Sequence, residues 1–503
     1  MVGRLPTRGD VVAAVTVALV LVPQSLAYAE LAGVPAVNGL YTAAVAALAA
    51  GLIGSSPYLQ TGPTALTSLL VYGALVGRAE VGTMEFARHA ALLAVVVGVT
   101  RLLLGLLRWG VVAYLMSQPV LSAFTVAASL LIVCSQVPAL VGVSVTDPNP
   151  LTAAGQAVGR VADWDPMALL LGIGMLALVL GARRISPRIP AALLGSVAAL
   201  VLTGVGAVAV PEVGDVPSGL PPFALDLPWS ETVALIVPGV VIALVGFAEP
   251  ASIARKYAAQ DRTLWDPDRE FTGQGLANIA AGVFSGHASG GSFSRSALNR
   301  VAGAQTRWSG VLAGALVLLV MPFASALSGL PRAVLAGLVI AAGVSVLEVR
   351  SFRTSWRASR PQFLIAASTF AVTLASAPRV ERGVLIGVAL ALAVHLWREL
   401  QLEVDVRTDG DSLHVRPQGV LYFGSAPALE ERVMAVLAKH PDVRTVVVHL
   451  DQVGRLDYTG ALVLRSLVDD MRAADADVRI TGTQPQARRL VHSVLESPGP
   501  REG

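Results

Sequence analysis

Residues 60–67 read QTGPTALT, and residues 289–296 read SGGSFSRS. Each lies in an apolar stretch and sets Gly with Ser, Thr or Pro at the start of a short apolar segment. Lipid offers backbone N–H and C=O groups no partner, so non-helical backbone at membrane depth must face protein or a wet cavity. Two interrupted segments in corresponding halves of a chain point to a site near the bilayer midplane. A helix start presents free N–H groups and roughly half a positive charge. Two such starts facing each other make a site for an anion without a fixed basic side chain. Arg295 adds a full positive charge at the second segment, and the hydroxyls of Ser292 and Ser294 are donors for oxyanion oxygens. Taken singly, each segment is also compatible with a kinked helix or a loop.

The surroundings read as membrane. A spanning helix takes about 20 apolar residues, and residues 11–29, 31–77, 109–146, 166–182, 189–211, 232–248, 308–331, 333–347, 361–378 and 383–394 carry no charge. Weaker runs cover 88–108 and 271–304. Residues 11–29 follow Arg4 and Arg8; further spans come at once, so this run reads as a first membrane helix rather than a signal peptide. Breaking the runs at Gly, Pro and charges gives about 12 to 14 helices. Basic clusters at Arg101/Arg108, Arg183/Arg184/Arg188, Arg255/Lys256 and Arg350/Arg353/Arg357/Arg360 alternate with acidic ones. The acidic segments hold Asp147, Asp163 and Asp165, then Glu212, Asp215, Asp226 and Glu231. With 14 helices and a cytoplasmic N-terminus, every basic cluster falls inside and both acidic loops outside, as membrane topology favours.

The chain has 503 residues, 54% hydrophobic and 14% charged, against about a quarter charged in soluble proteins. Of its 37 Lys and Arg and 34 Asp and Glu, 27 fall in residues 401–503. A long apolar part therefore precedes a short soluble part, with domains expected at 1–399 and 400–503. In the latter, 443–450 and 478–481 read as strands and 461–473 as an amphipathic helix, a small α/β domain. The net charge of +3 gives no argument for nucleic acid. The single cysteine, Cys134, allows no disulfide or thiolate metal site within one chain and reads as a small core residue. No Walker loop, GxSxG or HExxH pattern occurs, so neither an enzyme, a metal centre nor a cofactor is expected.

Glu249 follows 232–248 without a break, in ALVGFAEPASIA. A carboxylate at such depth is costly and tends to be functional, which suits a proton-coupling group. A helix-end Glu reaching water, or one paired to Arg255 or Arg295, is the alternative. Gln24 and Tyr28, four apart after Pro23, share one helix face and offer hydrogen bonds either to the same cavity or to neighbouring helices. His287 reads as a proton relay or as a buried structural histidine.

Several stretches resemble the SulP family, the sulfate-permease-type anion transporters and channels related to prestin and pendrin. They are 17–41 (VALVLVPQSLAYAELAGVPAVNGLY), 51–65 (GLIGSSPYLQTGPTA), 243–258 (ALVGFAEPASIARKYA), 266–286 (DPDREFTGQGLANIAAGVFSG) and 290–310 (GGSFSRSALNRVAGAQTRWSG). Residues 446–471 (VVVHLDQVGRLDYTGALVLRSLVDDM) resemble the family's STAS domain. The resemblance implies an α-helical polytopic membrane protein of 14 segments in a 7+7 inverted repeat, with uracil-permease-like core and gate domains moving as an elevator. It places Gln24 and Tyr28 near the anion, Pro63, Thr64 and Ala65 at the start of helix 3, and Ser292, Phe293, Ser294 and Arg295 at the start of helix 10. Glu249 matches the acidic coupling position of helix 8. Some bicarbonate-transporting relatives carry aspartate there within a sodium site, and glutamate here favours proton coupling. Thr459 matches a position where related STAS proteins carry a phosphorylatable Ser or Thr; a structural hydroxyl at a helix start is the other role.

The expectation is thus a multi-pass protein of the inner (plasma) membrane with both termini cytoplasmic. It is expected to form a homodimer, with a cytoplasmic regulator at the STAS domain. It would carry a small inorganic anion, sulfate the leading candidate, by proton symport. Sodium-coupled bicarbonate transport, dicarboxylate transport and an anion channel or exchanger stay open.

Overall fold

The computed structural model describes residues 5–114, 117–186, 189–347, 357, 359–400 and 402–495. Arg4, Arg188, Arg350 and Arg353 lie outside these. Two compact units result, Met1–Ala389 and Leu390–Gly503.

In the first unit α1 (Arg8–Ala32) begins at Thr7 with a capping box to Asp10 and ends at Gly33, whose φ of 77° lies in the left-handed region that favours glycine. There follow α2 (Ala36–Ile53), the two-residue β1 (Thr61–Gly62), α3 (Ala65–Leu75), α4 (Met84–Leu106) and α5 (Gln118–Val141). Next come a short α6 (Pro150–Gly159), α7 (Pro166–Ile185), α8 (Ala191–Gly204), α9 (Thr232–Gln260) and α10 (Pro267–Val283). The two-residue β2 (Gly290–Gly291) leads into α11 (Phe293–Val301), followed by α12 (Trp308–Val320) and α13 (Arg332–Val346). The last two are α14 (Arg360–Ala375) and α15 (Glu381–Leu400), whose residues from Leu390 onward belong to the second unit. Without the short α6, the described residues supply fourteen helices in two sets of seven, and α11 falls seven after α3. Helices α1–α4 pack with α9–α12; α5, α7 and α8 pack with α13 and α14. Close approach is made by glycine: a Cβ at Gly39 would run into the Ser25 carbonyl where α2 crosses α1.

Arg101 departs from its reading as part of an interfacial cluster. It lies within α4 with 0% exposure. One backbone carbonyl accepts from each of its three nitrogens, which lets an apolar helix bury it. Cys134, expected in the core, is half-buried on α5.

The second unit holds β3 (Glu403–Asp409), β4 (Ser412–Leu421), α16 (Ala426–Leu437), β5 (Thr445–His449), β6 (Val453–Leu456), α17 (Tyr458–Ala473), β7 (Asp477–Thr481) and α18 (Pro485–Leu495). The sheet order is β3-β4-β5-β7, with β6 beside β4; only the β3–β4 pair is antiparallel. Alternation in β4 and β5 buries Leu413, Val415, Val446 and Val448 against Leu429 and Val433 of α16 and Leu464, Leu467 and Met471 of α17. This is the α/β domain expected.

Away from that core, ring nitrogens of His414 and His449 are hydrogen-bonded at 2.9 Å, and Thr481 Oγ1 lies 3.0 Å from the other nitrogen of His449. Burial first, then Arg416 and His414, hold His449 below the ordinary imidazole value. The unfolded chain therefore binds a proton before the fold does once pH drops below about 6.5. This residue costs nothing at neutral pH and destabilises the unit increasingly on acidification. The thermal midpoint of the second unit should fall between pH 7.5 and 5.5 by more in the parent than in His449→Gln; equal falls would refute this.

Candidate functional site

Strands β1 and β2 pair antiparallel, Thr61 opposite Gly291 and Gly62 opposite Gly290. The two interrupted segments, 230 residues apart in sequence, thus meet. Each strand runs straight into a helix, so the antiparallel pair sends α3 and α11 off in opposite directions with their N-termini turned to each other. At 1.5 Å per residue these helices of 11 and 9 residues are about 16 and 14 Å long, half of a bilayer core. Helices of half-span length are what a site near mid-depth requires.

Helix α10 fixes the strands. Glu270 is 1% exposed and accepts from Ser55 N–H (3.0 Å), Ser55 Oγ (2.7 Å) and Ser56 N–H (3.1 Å), which holds the loop ahead of β1. Gln274 Nε2 donates to Thr61 Oγ1 at 2.7 Å, and Asn278 Oδ1 accepts the Ser289 N–H at 2.8 Å. Removing a buried carboxylate that accepts three bonds strands its donors. Glu270→Ala should cost about 3 kcal/mol, read as a lower unfolding midpoint in detergent; an unchanged midpoint would contradict this.

The half-helix starts carry side-chain caps. Thr64 Oγ1 accepts from Thr67 N–H, and Ser292 Oγ accepts from Arg295 N–H. The caps occupy the third N–H of each helix. Those of Ala65 and Leu66 on α3, and of Phe293 and Ser294 on α11, have no partner among the described residues, because no preceding turn supplies one. All four residues line a cavity of about 800 Å³. Tyr28 and Glu249 line it too, with Thr64 and Ser292.

Three sequence-predicted residues stand behind that wall. Arg295 is 1% exposed; its Nη2 donates to the Pro63 carbonyl at 2.9 Å and its Nη1 to Gln24 Oε1 at 3.3 Å. It ties α1 and the β1–α3 turn to α11, leaving a buried positive charge beside the cavity. Its two Nη groups go to these partners, its Nε is buried without a hydrogen-bond partner among the described residues, and none of the three is hydrogen-bonded to Glu249. Helix α9 continues to Gln260 through Pro250, so Glu249 is not at a helix end. His287 is buried against α2: its backbone N–H donates to Thr42 Oγ1 at 2.8 Å and its Nδ1 lies 3.1 Å from the same oxygen. It is not among the lining residues.

The structure adds a wall that the sequence reading missed. Gln118, Ser122, Thr125 and Ser129 of α5 line the cavity, with Ser252 and Arg255 of α9 and Ser345 of α13. The α5 signal was legible: polar residues at intervals of four, three and four share one stripe of an otherwise apolar helix. In the second unit, the expected helix-start hydroxyl at Thr459 gives way to Asp457. The Asp457 carboxylate reaches the Gly460 N–H at 2.7 Å and caps α17, while Thr459 is exposed in the first turn.

Residues 7–369 match the family model for the sulfate permease family, and residues 403–494 that for the STAS domain. Over 397 residues the chain is 35% identical to a probable sulfate transporter of Mycobacterium tuberculosis, covering 78% of this chain and 70% of the relative. It is 28% identical over 515 residues to the chloroplastic sulfate transporter 4.1 of Arabidopsis thaliana, covering 94% and 74%. Its fold is similar to that of the murine solute carrier 26 family member A9 anion transporter in the inward-facing state (TM-score 0.88, 20% identity, 98% and 87% covered). It is also similar to the transmembrane domain of the cyanobacterium bicarbonate transporter BicA (TM-score 0.64, 23% identity, 76% and 97% covered).

Proposed function

The chain belongs to the sulfate permease family, and from that premise we propose that it is a secondary active transporter carrying sulfate with protons across the membrane. The observation behind this reading is the set of four unpartnered N–H groups, from two opposed half-helices, at one cavity with Glu249. Peptide dipoles and buried Arg295 favour an anion there. Tetrahedral oxyanions suit a wall rich in hydroxyl donors. The names of the relatives as sulfate transporters support the choice of anion. Glu249 is the proton carrier in this reading.

The group α1–α4 with α9–α12 carries the site and is proposed to slide as an elevator against the group holding α5 and α13. Residues 1–399 would transport and 400–503 regulate, with Thr459 exposed to a cytoplasmic regulator and the chain working as a homodimer in the plasma membrane, both termini cytoplasmic. Uptake of labelled sulfate into proteoliposomes, with and without an inward proton gradient, tests this. Saturable uptake stimulated by the gradient is expected; saturable uptake indifferent to it would leave an exchanger. The likeness to BicA favours bicarbonate as the second reading, tested by competition in the same vesicles.

A further inference from the structure

Arg101 has no carboxylate partner among the described residues. Its Nε donates to the Ala243 carbonyl at 3.0 Å and its Nη2 to that of Ile242 at 3.3 Å, both on α9. Its Nη1 donates to the Ser289 carbonyl at 2.9 Å, at the residue that leads into β2. Neutral carbonyls satisfy its donors but leave its charge uncancelled, and burying an unpaired charge is costly. Arg295, by contrast, has Glu249 within electrostatic reach.

The place of this charge is telling. A Cβ at Gly246 would lie 2.7 Å from Arg101 Nη2 and 3.2 Å from Thr67 Cγ2. Thr67 is in the first turn of α3, its hydroxyl 2.8 Å from that of Thr64 in the cavity wall. Ser289 lies three residues before Ser292, which lines the same cavity. The guanidinium thus sits one layer behind the point where both half-helices start, bolting β2 to α9.

Resting on the reading of this cavity as an anion site, we propose that Arg101 is a positioning residue of that site, whose permanent charge favours doubly over singly charged anions. Coulomb energy scales with the charge of the anion. Whatever factor neutralisation costs a singly charged anion, a doubly charged one of similar position loses its square.

The test is isothermal titration of the purified full-length chain in detergent with sulfate and with nitrate, at constant ionic strength. In Arg101→Gln the dissociation constant should rise about threefold for nitrate and about tenfold for sulfate. Arg101→Lys should keep the sulfate-to-nitrate ratio within about twofold of the parent. Arg101→Met, which also removes the charge, should shift the ratio in the same direction as Arg101→Gln and serves where that variant does not fold. A purely structural role would weaken both anions by equal factors; that result, or an unchanged ratio in the Gln and Met variants, overturns the inference. A parent chain that binds neither anion would instead overturn the anion-site reading itself.

Discussion

Glu249→Gln should abolish proton-driven accumulation while leaving anion exchange across the membrane intact. The amide keeps the size of the carboxyl and removes its ability to take up and release a proton. Glu249 lines the same cavity as the free N–H groups of α3 and α11, so under the proposed coupling its protonation state and anion occupancy would act on one another across that cavity. A one-unit pH gradient without membrane potential sustains about a tenfold concentration ratio per coupled proton. In the variant this ratio should fall to about one, with counterflow of labelled against unlabelled sulfate surviving. Accumulation persisting in Glu249→Gln would remove the coupling role; equal loss of counterflow would make Glu249 part of the binding site instead.

Gly291→Val should eliminate saturable anion uptake. Gly291 pairs with Thr61 across the two-stranded sheet. A Cβ there would stand 2.7 Å from Leu59 Cδ1 and 3.1 Å from both Cα and Cγ of Pro250. Leu59 offers the end of a movable side chain; Pro250 is backbone in α9, directly after Glu249. Alanine should therefore be tolerated in part. Valine has to push β2 away from α9, and displacing a binding group by about 1 Å can cost about a hundredfold in rate. The chain should still reach the membrane with its second unit folded, because that core holds none of these residues. Reconstituted uptake and near-native melting of the second unit are the paired readouts. A valine variant with parental half-saturation would refute the claim that the strand pair sets the geometry of the site.

Much of this was legible before any coordinates. QTGPTALT and SGGSFSRS stood out because Gly, Pro and hydroxyl residues break an apolar run, and lipid forbids a broken helix without a reason. The α/β character of the second unit followed from the apolar run of 443–450, which reads as a buried strand, and the helical spacing of Leu462, Leu464, Leu467 and Met471, of which Leu462 proves exposed. Arg101 was misread because charge along a sequence reports topology only on average; three carbonyls from two other elements are contacts that no local pattern encodes. Thr459 lost its capping role to Asp457, two residues earlier, because helix ends shift by one or two residues against the apolar pattern and an Asp was the stronger cap within that range.

The sequence by itself determined that the chain is a multi-pass membrane protein with a small α/β domain after it, and where its helices are interrupted, because apolar length and backbone-breaking residues are local properties. Only the tertiary structure decided which of the marked residues face the cavity. It put Tyr28, Thr64, Ser292 and Glu249 in the wall, turned Gln24, Pro63 and Arg295 to one another behind it, and recruited the polar stripe of α5. Those choices follow from a strand pair joining residues 230 apart and from buried donors seeking acceptors on other helices, both settled only once the chain packs.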